Sequence, residues 1–118
     1  MLYRTCLKNE TLCGDNVYKI CRPSILGNPY THMPVTKTMA KFQCKSREEA
    51  IQNYSHYFDV MYGSNLEFTR VIDEIYEKYK NGEDIYLACF CPESLSCHGD
   101  IIIEKLRKRL IKEKLRKR

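Results

Sequence analysis

Asp84-Ile85-Tyr86-Leu87-Ala88-Cys89-Phe90-Cys91 is the stretch on which the fold turns. It is almost wholly apolar and is bounded by Gly82 and Pro92, so it reads as a strand buried on both faces, the pattern of a parallel sheet. After a loop through Cys97, a helix is predicted to start near Gly99-Asp100, with Ile102, Ile103, Leu106 and Leu110 on its core side. Strand, short loop and helix are the repeating unit of an α/β fold.

Upstream, Ser46-Arg47-Glu48-Glu49 is a capping box with Ser46 as N-cap. Ile51, Tyr54, Phe58 and Met61 follow at helical spacing, which predicts a helix from about Arg47 to Met61, ended by Gly63. Ser64-Asn65-Leu66-Glu67 repeats the signature, and Phe68, Val71, Ile72, Ile75 and Tyr79 predict a second amphipathic helix, stopped at Asn81-Gly82. The aromatic stripes of both helices read as core. Further back, Leu2–Leu7 and Val17–Cys21 read as short strands on either side of the turn-rich Cys13-Gly14-Asp15-Asn16. The prolines of Arg22-Pro23-Ser24-Ile25-Leu26-Gly27-Asn28-Pro29-Tyr30 exclude helix or central strand, and the chain is expected to run irregularly to about Lys41. The expectation is an α/β fold, a small single-domain sheet with flanking helices and a strand-turn-helix site at the C-terminal end of the strand.

The 118 residues fit one domain. The apolar fraction is 43% and no run reaches the ~18–20 apolar residues of a membrane span. Met1–Cys6 has no apolar signal-peptide core, so the expected location is cytoplasmic, with reduced thiols. The net charge of +5 is unevenly spread. From Glu104 to Arg118 there are nine Lys/Arg and two Glu, a net +7, so the rest of the chain carries −2. Glu104–Arg109 recurs as Glu113–Arg118. Nine residues at about 100° each amount to half a turn net, which aims Leu115 away from the face Leu106 uses. Residues 1–111 are therefore read as the domain and 112–118 as a basic extension of the last helix, a solvated end with nucleic-acid contact as the minority reading.

Seven cysteines are many for this length, and an odd number cannot all pair internally. Cys6, Cys13, Cys21 and Cys44 read as small buried fillers. Cys91, Cys97, His98, Gly99 and Asp100 fall where a buried strand hands over to a helix, the place where ligands bind in open α/β sheets. A helix start favours an anion and lowers the pKa of a thiol. His98 is placed to act as base, with Cys97, His98 and Asp100 as the candidate reactive group. Cys89, Cys91, Cys97 and His98 also offer zinc-type ligands, although C-x-C-x5-C-H departs from usual knuckle spacing. The loop from Arg22 is the second candidate patch. Arg22 offers a forked cation, Ser24 a hydroxyl, Gly27 close backbone approach and Asn28 an amide; a rigid turn whose Asn caps backbone groups weighs equally.

Taken together, Arg22-Pro23-Ser24-Ile25-Leu26-Gly27-Asn28-Pro29-Tyr30, Ser46-Arg47-Glu48-Glu49, Leu87-Ala88-Cys89-Phe90-Cys91-Pro92 and Cys97-His98-Gly99-Asp100 resemble, in order, the phage and bacterial family called domain of unknown function 4326. Its pattern is a Gly-Asn-Pro loop, an Arg-Glu-Glu-like helix start, and Cys-x-Cys followed by Cys-His-Gly-Asp. The loop from Pro92 to Cys97 is slightly long for that pattern, and the duplicated basic tail lies outside it. The resemblance implies that the Arg22–Asn28 loop and the Cys91–Asp100 turn share one pocket. The leading expectation is a site for a small anionic ligand of phosphate-bearing or nucleoside type, as an enzyme or as a binder, for example a phage protein capturing a host nucleotide. A zinc-stabilised interaction module and nucleic-acid binding through the tail are the rivals.

Overall fold

A computed structural model describes residues 1–6, 14–21, 24–31, 42–89 and 97–116. Among them the chain forms β1 (Leu2–Cys6), β2 (Val17–Lys19), β3 (Tyr30–Thr31), β4 (Phe42–Gln43), α1 (Arg47–Met61), α2 (Leu66–Lys80), β5 (Ile85–Cys89) and α3 (His98–Arg116). β5 is the middle of a three-stranded sheet of order β1-β5-β2, parallel to both neighbours. The α/β reading thus stands, and the apolar run at 84–91 is the central strand. All three strands point the same way, so their carboxyl ends share one edge.

The register places Leu2, Arg4, Tyr18, Ile85, Leu87 and Cys89 on one face. Both α2 and α3 cover that face. The Tyr18 hydroxyl donates to Glu74 of α2 at 2.6 Å, and Arg4 meets Asp100 of α3 at 3.2 Å. Ile72, Ile75, Ile102 and Leu106 close over it, with Tyr54, Phe58 and Phe68 as the aromatic part of the same core. The other face carries Tyr3 stacked on Tyr86 at 5.3 Å, with Tyr3 exposed and Tyr86 half-buried. It is therefore less covered than the continuous apolar run predicts.

Local chemistry sets the ends of the helices. Ser46 Oγ accepts from Glu49 N at 3.1 Å and starts α1. The cap of α2 is Asn65, whose Oδ1 accepts from Phe68 N at 3.0 Å; Ser64 turns its hydroxyl back to the Val60 carbonyl instead of capping. Gly82, at φ 89°, ends α2 as expected: its N–H donates to Tyr79 O and that of Glu83 to Lys78 O, a paired closure needing a left-handed residue. The stretch expected to be irregular from Arg22 to Lys41 contains a short pairing, since Tyr30–Thr31 lies parallel to Phe42–Gln43 in a second, two-stranded sheet. Two-residue strands are too short to leave a periodic signal. α3 starts at His98 and runs to Arg116; its Leu115 is 61% exposed.

The three helices are tied at one point. Arg109 of α3 donates to Asp73 of α2 at 2.9 Å and to the Tyr62 hydroxyl, which itself donates to Asp73. Partial burial pushes the Asp73 carboxyl up, but the donors Tyr62 and Arg109 outweigh it and hold the group below the usual carboxylate range. A carboxylate depressed on folding stabilises above its unfolded pKa, and that contribution is lost as pH falls through the folded value. Asp73→Asn is therefore expected to lower the melting temperature near neutral pH. The gap to the unsubstituted chain should narrow as the pH falls below the ordinary carboxylate range in parallel thermal melts.

Candidate functional site

The site is assembled at the shared carboxyl edge of the sheet, where α3 begins. Cys97 is the N-cap of α3. Its Sγ accepts from Gly99 N at 3.3 Å, in the place a serine hydroxyl takes in an ordinary cap. The Asp100 carboxylate returns to the Cys97 N–H at 3.1 Å, and the Asp100 N–H donates to Cys97 O at 3.0 Å. Cys97 through Asp100 is thus a capping box with sulfur as the capping atom. Asp100 also pairs with Arg4 Nε at 3.2 Å. The Arg4 side chain is only 11% exposed. Burial works to lower its pKa, yet Asp100 and then Cys97 hold it above the ordinary guanidinium value.

Gly99 leaves the space that its neighbours fill. A Cβ there would lie 2.8 Å from Ile20 Cδ1 and 3.2 Å from Arg4 Cδ, both on side chains packed against the start of the helix. That close approach puts His98 within reach of β2. Ile20, held to β5 by its N–H on Ala88 O at 2.9 Å, presents its carbonyl to His98 Nε2 at 2.6 Å. A carbonyl only accepts, so Nε2 carries a proton and donates. The other ring nitrogen, Nδ1, then faces Cys97 Sγ at 3.6 Å as the basic one. A thiol beside a base that a third group orients is the general form of a nucleophile pair. The sulfur's surroundings, a helix start, Arg4 and an imidazole, favour thiolate, whereas its 2% exposure opposes charge.

The loop after β2 reaches the same place through Tyr54. The Tyr54 hydroxyl donates to Leu26 O at 2.8 Å, and its ring lies edge-on to the His98 ring at 4.9 Å. Burial, with small additions from Tyr57 and Cys97, pushes this phenol well above its ordinary range, so the hydroxyl remains a donor. Asn28 is buried, donating to Ala50 O at 3.2 Å and accepting from Tyr30 N at 3.0 Å. Both ends of its amide serve the chain, as in the turn-capping reading. Gly27 is buried as well, and its N–H closes a turn on Ser24 O at 2.9 Å. The Ser24 Oγ is a buried atom with no hydrogen-bond partner among the described residues.

Of the residues singled out from sequence, Cys97, His98, Gly99 and Asp100 come together at the start of α3. Ser24, Gly27 and Asn28 lie on the neighbouring loop. Arg22 and Cys91 fall outside the described residues. So does part of the zinc set, and among the described residues no three His, Cys, Asp or Glu side chains are grouped to hold a metal ion. Sequence reasoning missed Arg4, Tyr54 and the Ile20 carbonyl. Arg4 had a usable signal, because it alternates with Leu2 on a strand of a parallel sheet and so points at the core. Cys89 enters differently from expectation, with its Sγ 3.5 Å from that of Cys97.

Fold and site define a small parallel α/β domain with a cysteine–histidine pair at a strand-to-helix junction. The chain belongs to the family described as domain of unknown function DUF4326, which matches residues 5–108. No curated protein and no solved structure matches it.

Replacing Gly99 by Ala is expected to cost about 1–3 kcal/mol, the usual range for overpacking a filled site, measured by urea unfolding.

Proposed function

We propose that the carboxyl edge of the sheet binds a small phosphate-bearing or nucleoside-type molecule and that Cys97, with His98 as its base, is the group that reacts with it. The observation that carries this reading is the placement of Cys97 Sγ between the Gly99 N–H and His98 Nδ1, with Nε2 locked on the Ile20 carbonyl. The parallel sheet supports it, since ligands of such sheets sit beyond the carboxyl ends of the strands.

The cap redistributes the ligand contacts. The N–H groups of Cys97 and Gly99 are already taken by Asp100 and by the sulfur, and the Asp100 carboxylate brings negative charge. The anion is therefore assigned to Arg22, with Ser24 two residues further on. In the reactive step the Cys97 proton passes to His98 Nδ1. The thiolate attacks an electrophilic centre of the ligand, and the imidazolium returns the proton to the leaving group. The Nε2 proton stays on His98, donated to the Ile20 carbonyl, throughout.

Two measurements test the reading. Alkylation of Cys97 by iodoacetamide, followed by peptide mass mapping against pH, is expected to slow about tenfold or more at neutral pH in His98→Gln, where the base is lost. Arg22→Ala is expected to abolish binding of nucleoside phosphates that raise the melting temperature of the unsubstituted chain. Unchanged alkylation and unchanged affinity would remove the proposal. Mass spectrometry of native and denatured protein with elemental analysis adds a third outcome: one zinc per chain, lost in Cys97→Ser, would replace the reactive pair by a metal site.

A further inference from the structure

Cys89 takes no part in the step above. It is 1% exposed, ends the central strand, and directs its thiol toward Thr5 O at the long distance of 3.8 Å. Its Sγ lies 3.5 Å from the Sγ of Cys97. A disulfide bond is about 2.05 Å long, so closing the pair asks for about 1.5 Å of sulfur movement. Cys21 and Cys44, the other described cysteines besides Cys6, are likewise in no disulfide; Cys44 Sγ instead accepts from Asn53 Nδ2 at 3.4 Å. The charge of Arg4 bears on both Cys97 and Cys89. One cation beside two sulfurs favours a thiolate in the pair, the form that reacts with oxidants.

We infer that Cys97 and Cys89 are a redox dithiol, in which Cys97 is oxidised by a small peroxide and Cys89 resolves the product into an intramolecular disulfide. The inference rests on the reading of Cys97 as a nucleophile and adds a modification to that same site. The Cys97 thiolate attacks one oxygen of the peroxide. An S–O bond forms, the O–O bond breaks, and the departing hydroxide takes a proton from the His98 imidazolium to leave as water. The sulfur of Cys89 then attacks the sulfenic acid on Cys97. An S–S bond forms, the S–O bond breaks, and the second hydroxide leaves as water with the proton of Cys89. Two thiols lose two electrons, one peroxide gains them, and two waters result. A low-molecular-weight dithiol restores the starting state by exchange. With both sulfurs at or below 2% exposure, the fitting oxidant is the size of hydrogen peroxide and not a protein disulfide. The disulfide takes away the sulfur that caps α3 as a thiolate, so oxidation silences the nucleophile reversibly.

The test treats the full chain with hydrogen peroxide and maps its peptides without reduction. A Cys89–Cys97 linked peptide, removed by dithiothreitol, is the expected result. In Cys89→Ser, dimedone should instead trap a sulfenic acid on Cys97. Three results overturn the inference. A dimedone adduct on Cys97 of the unsubstituted chain without a link to Cys89 removes the role of Cys89 and leaves the nucleophile standing. A Cys97–Cys91 link moves that role to Cys91. Oxidation of Cys21 while Cys97 and Cys89 remain thiols removes both this inference and the reading of Cys97 on which it rests.

Discussion

β5 is held by a strand on each side, and everything at the carboxyl edge depends on that arrangement. Its ladder to β1 sets Arg4 beside Leu87 and Thr5 beside Ala88, and its ladder to β2 carries Ile20 into line through Ala88 O. The two neighbours are not paired with each other, so β5 links the Ile20 carbonyl to Arg4 across the sheet. α3 packs its first turn into that gap, so closely that a Cβ at position 99 would lie 2.8 Å from Ile20 Cδ1. The imidazole of His98 reaches Ile20, and the sulfur of Cys97 reaches Cys89, because both sit on that turn.

Using sulfur as a helix cap joins two roles that are usually separate. A serine cap satisfies one N–H and ends there. A cysteine cap does the same while placing an ionisable group against the positive end of the helix. The reciprocal carboxylate of Asp100 completes the cap and at the same time orients Arg4, so the cation near the sulfur is held by the residue that holds the helix. Stability of the first turn and polarity around the thiol therefore cannot be varied independently.

Much of this was legible before any coordinates. The apolar run at 84–91 announced a parallel strand, and the two capping signatures with their 3.6-residue spacing located α1 and α2, because those patterns are local. Cys97, His98, Gly99 and Asp100 could be named as a site since they fall on a strand-to-helix junction. What stayed hidden was non-local. Nothing near position 54 in the sequence says that a tyrosine of the aromatic stripe bridges Leu26 and His98. The carbonyl of Ile20 has no side-chain signature at all. Asn65 displaced Ser64 as the cap of α2 through a one-residue choice of loop geometry, which composition does not resolve. The approach of the Cys89 and Cys97 sulfurs to 3.5 Å is likewise a tertiary contact, and the sequence offered the two only as zinc-type ligand residues at an unusual spacing.

The order of the strands has a consequence for how the protein comes into being. The middle strand of the sheet is the last one made. β1 and β2 emerge first during synthesis, and among the described residues their pairing partner is β5, which is made only once residue 85 is reached. The contacts that shape the carboxyl edge of the sheet span 78 residues from Ile20 to His98 and 84 from Thr5 to Cys89. Such distant closures are slow relative to helix formation. α1 and α2 can form while the sheet is still waiting, and the Cys97 sulfur gains its histidine, its arginine and its cap together, when the final third of the chain inserts. An incomplete chain therefore carries its amino-terminal strands without their common partner, and this arrangement of Cys97, His98 and Arg4 does not exist before β5 and α3 are in place.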